Sequence, residues 1–150
     1  MSNAESLTRD LAGQTFHRSR PYEVAREKIR EFADALGDPN PAYRDPEVAK
    51  RHGHPDVIAP PTFGIVVGFE PLQAMLDEVG LPLSRIMHAD QKFTAHRPIL
   101  PGDLLNAVLT VDSVRTLAGN DIIATRTDIT TVAGEPVVTA SAKIIHRSDA

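Results

Sequence analysis

The run Pro61-Thr62-Phe63-Gly64-Ile65-Val66-Val67-Gly68-Phe69-Glu70-Pro71-Leu72-Gln73-Ala74-Met75-Leu76-Asp77-Glu78-Val79 decides the fold. Ile65, Phe69, Leu72, Leu76 and Val79 recur at i, i+4, i+7, i+11 and i+14, which is a helical period. Val66, Val67 and Met75 spread apolar character over most of the circumference. A helix apolar nearly all round is a buried helix. Pro61 suits the first helical position, where the missing N–H is an orphan in any case. Pro71 lies inside the pattern and predicts a kink or a break near Glu70.

What buries this helix follows it in the chain. After residue 85 the period changes to two, in segments near 86–95, 103–116, 121–132 and 136–146 that are rich in Val, Ile and Thr. Within Asp121–Ile129, Ile123, Thr125, Thr127 and Ile129 share one face. Ala118-Gly119-Asn120-Asp121 and Ala133-Gly134-Glu135 read as hairpin turns, with glycine supplying the positive φ. The simplest packing wraps this long antiparallel sheet around the helix, an α+β architecture.

Upstream, Ala25, Ile29, Phe32, Ala33 and Leu36 form one helical stripe over residues 23–36, and Gly37 is a stop. Residues 38–45 hold two prolines and an Asn and form an ordered loop. Asp45-Pro46 reads as N-cap and first residue of a short helix running to about Arg51, which Gly53 ends.

The chain of 150 residues fits a single domain, 1–150. Its net charge is −4, and no basic stripe of the kind a nucleic-acid binder uses is visible. No apolar run reaches the roughly 20 residues of a membrane span, and the polar start carries no secretory signal. Cysteine is absent, so thiolate metal sites and disulfides are excluded. The expected location is the cytoplasm. No cofactor or metal is expected. His52-x-His54 is too sparse for a metal without further ligands. The six histidines, His17, His52, His54, His88, His96 and His146, have no carboxylate at a catalytic spacing and read as structural or exposed. His54 and His88 are the first to mutate.

Two stretches carry the functional reading. Gly37-Asp38-x-Asn40-Pro41-x-Tyr43 precedes the short helix, and Ile58-Ala59-Pro60-Pro61-Thr62-Phe63-Gly64 leads into the central one. Together with Phe93-x-x-x-Arg97-Pro98-Ile99-x-x-Gly102-Asp103-x-Leu105, they resemble the MaoC-like dehydratases of the hotdog fold, which include the (R)-specific enoyl-thioester hydratases. The resemblance spans about Tyr22 to His146. It is nearest to a short actinobacterial branch, similar to the substrate-binding subunit of heterodimeric (3R)-hydroxyacyl-carrier-protein dehydratases of fatty-acid synthesis or elongation.

The family's motif runs Gly-Asp-x-Asn-Pro-x-His, and the resemblance makes Asp38 the acid–base carboxylate and Asn40 part of the loop shaping the site. In competent relatives the Asp and His flank a water that is added to, or removed from, a 2-enoyl thioester. Here Tyr43 occupies the histidine position. A phenol ordinarily titrates near 10 and an imidazole near 6.5, so a tyrosine is a poor base near neutrality, although it can donate a hydrogen bond. Competent relatives also carry Ala-His-Gly before the central helix, and the glycine N–H faces the thioester carbonyl. Pro60 and Pro61 stand in the His-Gly positions, and proline has no N–H. Losing one oxyanion donor typically costs about 2.7–4 kcal/mol in the transition state.

Each residue also has a plain structural reading. Asp38 suits a turn, Pro61 a helix start, and Tyr43 a half-buried aromatic. Gly64 and Gly68, one turn apart, fit close approach of a strand or a partner helix, or else a groove for an acyl chain. The resemblance implies an acyl thioester of CoA or acyl carrier protein as ligand, with Ile58, Ala59, Pro60, Pro61, Thr62, Phe63 and Gly64 as its cradle. It also implies a homodimer, or a heterodimer with a catalytically complete MaoC-like subunit. The leading reading is a non-catalytic, substrate-binding subunit of a dehydratase. The alternatives are a self-sufficient homodimeric hydratase using Asp38 with another histidine, a hotdog thioesterase, and a binding module without turnover.

Overall fold

A computed structural model describes residues 10–147. The described strands are β1 (Thr15–His17), β2 (Tyr22–Glu23), β3 (Ile86–Ala95), β4 (Leu104–Leu117), β5 (Asn120–Thr131) and β6 (Pro136–Arg147). They form one sheet in the order β1-β4-β5-β6-β3, with β2 also pairing to β4. Every pairing is antiparallel. The helices are α1 (Arg26–Leu36), α2 (Pro46–Arg51) and α3 (Gly64–Glu78). The four long strands lie within one residue of the segments read from the period-two pattern. This is the hotdog fold, with α3 packed against the inner face of the sheet.

The inner face follows the alternation. Ile123, Thr125, Thr127 and Ile129 of β5 are buried, the last three opposite the buried Val111, Leu109 and Ala107 of β4. The core has two parts. Phe63, Val67, Ile99, Leu105 and Ile129 belong to one; Met75, Leu76, Leu109, Ile123 and Ile144 belong to the other. Phe63 also meets Phe32 and Tyr22 edge to face, at 5.4 and 6.2 Å between ring centroids, and so ties α1 and β2 to the start of α3. Burial holds the Tyr22 phenol above its ordinary value.

Several expectations need correction. Residues 22–23 are a strand paired to Leu105 and Leu104, so α1 starts three residues later than its stripe suggested. Ladder bonds to an otherwise open β4 edge outweigh weak local helix propensity. Leu36 is exposed at the end of α1, whereas Gly37 is the left-handed stop expected, at φ +70°. The central helix starts at Gly64, and Pro61 lies in the preceding turn, which the Phe63 N–H closes onto the Pro60 carbonyl at 2.9 Å. The helix then runs unbroken through Pro71.

The stripe facing inward also differs. Ile65 and Phe69 are exposed, and the buried positions are Gly64, Val67, Pro71, Met75 and Leu76. Gly64 marks the tightest approach on this face: a Cβ there would stand 3.3 Å from Ile129 Cδ1, whereas one on Gly68 would meet Thr127 Cγ2 at an ordinary contact distance of 3.5 Å. Close approach of a strand therefore accounts for Gly64 but not for Gly68.

Candidate functional site

The loop after α1 is built by side chains acting on backbone. The Asp38 N–H donates to the Ala33 carbonyl, and Asp38 Oδ1 accepts the Asn40 N–H at 3.0 Å. Asn40 Oδ1 accepts the Ala42 N–H at 3.0 Å and caps a 3-10 turn over Pro41–Tyr43. Asp45 Oδ1 caps α2 through the Glu47 N–H at 2.9 Å. Arg44 holds the assembly to α1 through Asp34 Oδ1 at 2.8 Å. The result is a rigid mount for Tyr43, which is only 7% exposed.

Tyr43 lines a cleft of about 300 Å³. On one side runs the segment Ile58, Ala59, Pro60 and Pro61; on the other run residues 95–99, with Val138 between them. The walls are joined where the Ala59 N–H donates to the Ile99 carbonyl at 2.9 Å. The Ile58 N–H is likewise committed, to the Ala42 carbonyl at 3.2 Å. With two prolines next, residues 58–61 offer the cleft no free backbone donor.

Five expected site residues thus meet in one place: Tyr43, Ile58, Ala59, Pro60 and Pro61. The other five do not line the cleft. Asp38 and Asn40 are occupied in the turn that carries Tyr43. Thr62 is exposed, and Phe63 is fully buried in the core. Gly64 instead lines a second, mostly apolar groove with Gly68, Phe69, His88 and Phe93.

His96 and Arg97 are additions to the cleft that sequence reasoning did not single out. His96 shares Nε2 with Thr139 Oγ1 at 3.0 Å. Arg97 donates to both Asp103 oxygens at 2.8 and 3.0 Å, to Glu135 Oε1 at 2.7 Å and to the Pro98 carbonyl at 2.8 Å. The Asp103 bonds, with Glu135 behind them, hold the guanidinium above its ordinary value. Arg97 therefore braces the cleft. Only its neighbourhood to the Arg97-Pro98-Ile99 string could have flagged His96. Among the described residues there is no cluster suited to a metal ion, and no helix is long and apolar enough to cross a membrane.

The sequence profile of the FAS1-like dehydratase domain region matches residues 10–140. The chain belongs to this family. A UPF0336 protein of Streptomyces coelicolor is 47% identical over 145 residues, covering 95% of this chain and 97% of that one. Among solved structures, the C-terminally truncated HadBC (3R-hydroxyacyl-ACP dehydratase) complex of Mycobacterium tuberculosis contains a similar chain. It superposes with a TM-score of 0.84 at 32% identity, over 91% of this chain and 97% of that one. A MaoC-like dehydratase gives a TM-score of 0.86 at 30% identity, covering 94% of this chain and 43% of that chain.

Proposed function

We propose that this chain is the substrate-holding subunit of a (3R)-hydroxyacyl-thioester dehydratase, and that a second hotdog chain supplies the complete Asp/His pair and the oxyanion donor. The supporting observation is the cleft wall at residues 58–61, where two N–H groups are committed and two are missing. An enolate oxygen developing there would find no backbone donor, and Asp38 is engaged in its own turn. The ligand is an acyl thioester of CoA or of acyl carrier protein. The free edge of β3 offers the partner chain a strand to pair with, since β3 is bonded only to β6 among the described residues.

The test is hydration of a 2-enoyl-CoA by the purified chain, alone and mixed with a chain bearing an intact Gly-Asp-x-Asn-Pro-x-His loop. Background rates alone and turnover in the mixture are expected. Full turnover by the single chain would overturn the proposal. It would favour a self-sufficient hydratase, for which His96 in the cleft supplies the one imidazole. His96→Ala would then abolish the activity.

A further inference from the structure

We infer that the Tyr43 hydroxyl donates a hydrogen bond to the carbonyl oxygen of the bound thioester, in place of the backbone donor that Pro60 and Pro61 lack. This rests on the acyl-thioester reading above and names the group that grips the thioester.

Tyr43 is more than nine-tenths buried, yet its hydroxyl has no hydrogen-bond partner among the described residues. It is not sealed in, because among the described residues no fully buried side-chain polar atom lacks a partner. The hydroxyl therefore opens into the cleft its ring lines. In the open cleft water can satisfy the hydroxyl, and a ligand that displaces this water must offer an acceptor in its place or leave the phenol unpaired.

The surroundings define that acceptor. Ile58, Ala59, Ile99 and Val138 make the walls apolar. The one cation on the rim, Arg97, is tied to two carboxylates and a carbonyl. A phosphate would find no free charge here, whereas an uncharged carbonyl needs only one neutral donor. The geometry also suits precision, because the residue is anchored on both sides. The Tyr43 N–H donates to the Asn40 carbonyl, and the Ala42 carbonyl accepts from Ile58.

The experiment compares butyryl-CoA with S-butyl-CoA, in which a methylene replaces the carbonyl, by calorimetric titration of the full chain. The wild type is expected to prefer the thioester about tenfold, roughly 1.4 kcal/mol, the scale of one neutral hydrogen bond. Tyr43→Phe should weaken thioester binding about tenfold and leave the thioether and the thermal unfolding midpoint unchanged. Equal affinity of the wild type for the two ligands would overturn the inference and leave the acyl-thioester reading standing. So would a preference that survives in Tyr43→Phe, or equal weakening of both ligands. Binding of neither ligand by the wild type would overturn both.

Discussion

Two sets of prolines in this chain remove backbone donors, and the protein treats them differently. Pro71 sits inside α3 and withdraws the N–H that the Val67 carbonyl would accept. Arg18 replaces it, donating Nη1 to that carbonyl at 3.0 Å. The same guanidinium pairs with Glu70 at 3.1 Å, bonds the Arg20 carbonyl at 3.1 Å and stacks on Tyr22 at 5.3 Å, with only 11% of its side chain exposed. Pro60 and Pro61 remove backbone donors from the wall of a cleft that Tyr43 also lines, and no protein group fills that space. A loss that would only weaken the helix is repaired. The loss at the cleft is left facing a ligand space, beside a tyrosine with a spare hydroxyl.

The largest expected effect would break the contrast at the cleft. Tyr43→His alone should stay a poor enzyme, because the wall still lacks its donor. Adding Pro61→Gly should raise 2-enoyl-CoA hydration by roughly 10²-fold over the single variant, the scale of one oxyanion donor. Equal rates from the single and double variants would remove the significance given to the prolines.

The next effect tests the repair at Pro71. Arg18→Ala should cost roughly 2–3 kcal/mol in denaturant unfolding, since a charged hydrogen bond to a part-buried carbonyl is lost. In a Pro71→Ala background the N–H returns, so the same Arg18→Ala change should cost measurably less. Additive costs would show that Arg18 acts through Glu70 and Tyr22 rather than through the Val67 carbonyl.

A smaller effect is set by pH. Hydrogen bonds from Ser19, with Arg18 and Arg20 nearby, hold the Glu70 carboxyl below its ordinary value near 4.5. A bond from Arg26 does the same for Asp56, below 3.8. A carboxylate depressed in the fold adds stability above its unfolded pKa and loses it as pH falls through the folded value. Stability should therefore fall below about pH 4.5, and Glu70→Gln should flatten part of that acid limb in thermal melts. Both groups keep part of their surface in water, which screens these interactions, so the change is small. The smallest effect concerns the β4–β5 hairpin. There Ala118 holds φ +52° beside Gly119 at +79°, as a two-residue primed turn requires. Ala118→Gly should relieve the left-handed strain and stabilise the chain by about 0.5–1 kcal/mol in chemical unfolding.

Much of the fold was legible because its cues lie close together in the chain. Alternation over a dozen residues placed β3 to β6 within a residue, and Gly37 marked the end of α1. Asp45-Pro46 marked the start of α2. Tyr43 and residues 58–61, named from two separate stretches of the chain, line one cleft. The face of α3 was not legible, because a helix apolar all round gives its period no preferred side. The sheet comes nearest at Gly64, where a Cβ would stand 3.3 Å from Ile129 Cδ1. His96 was equally hidden: its partner, Thr139, stands 43 residues away and reaches it only across the β3–β6 pairing.

Local chemistry in the chain settled most of which segments would be helix, strand or turn, since those properties depend on neighbours a few positions apart. Folding in three dimensions settled the rest. It brought Arg18 to a carbonyl 49 residues distant, set Tyr43 beside walls joined by the Ala59–Ile99 bond, and engaged Asp38 in the turn before the cleft. These outcomes turn on which polar groups find partners once the sheet closes on the helix, and a one-dimensional pattern carries no record of such long-range pairings.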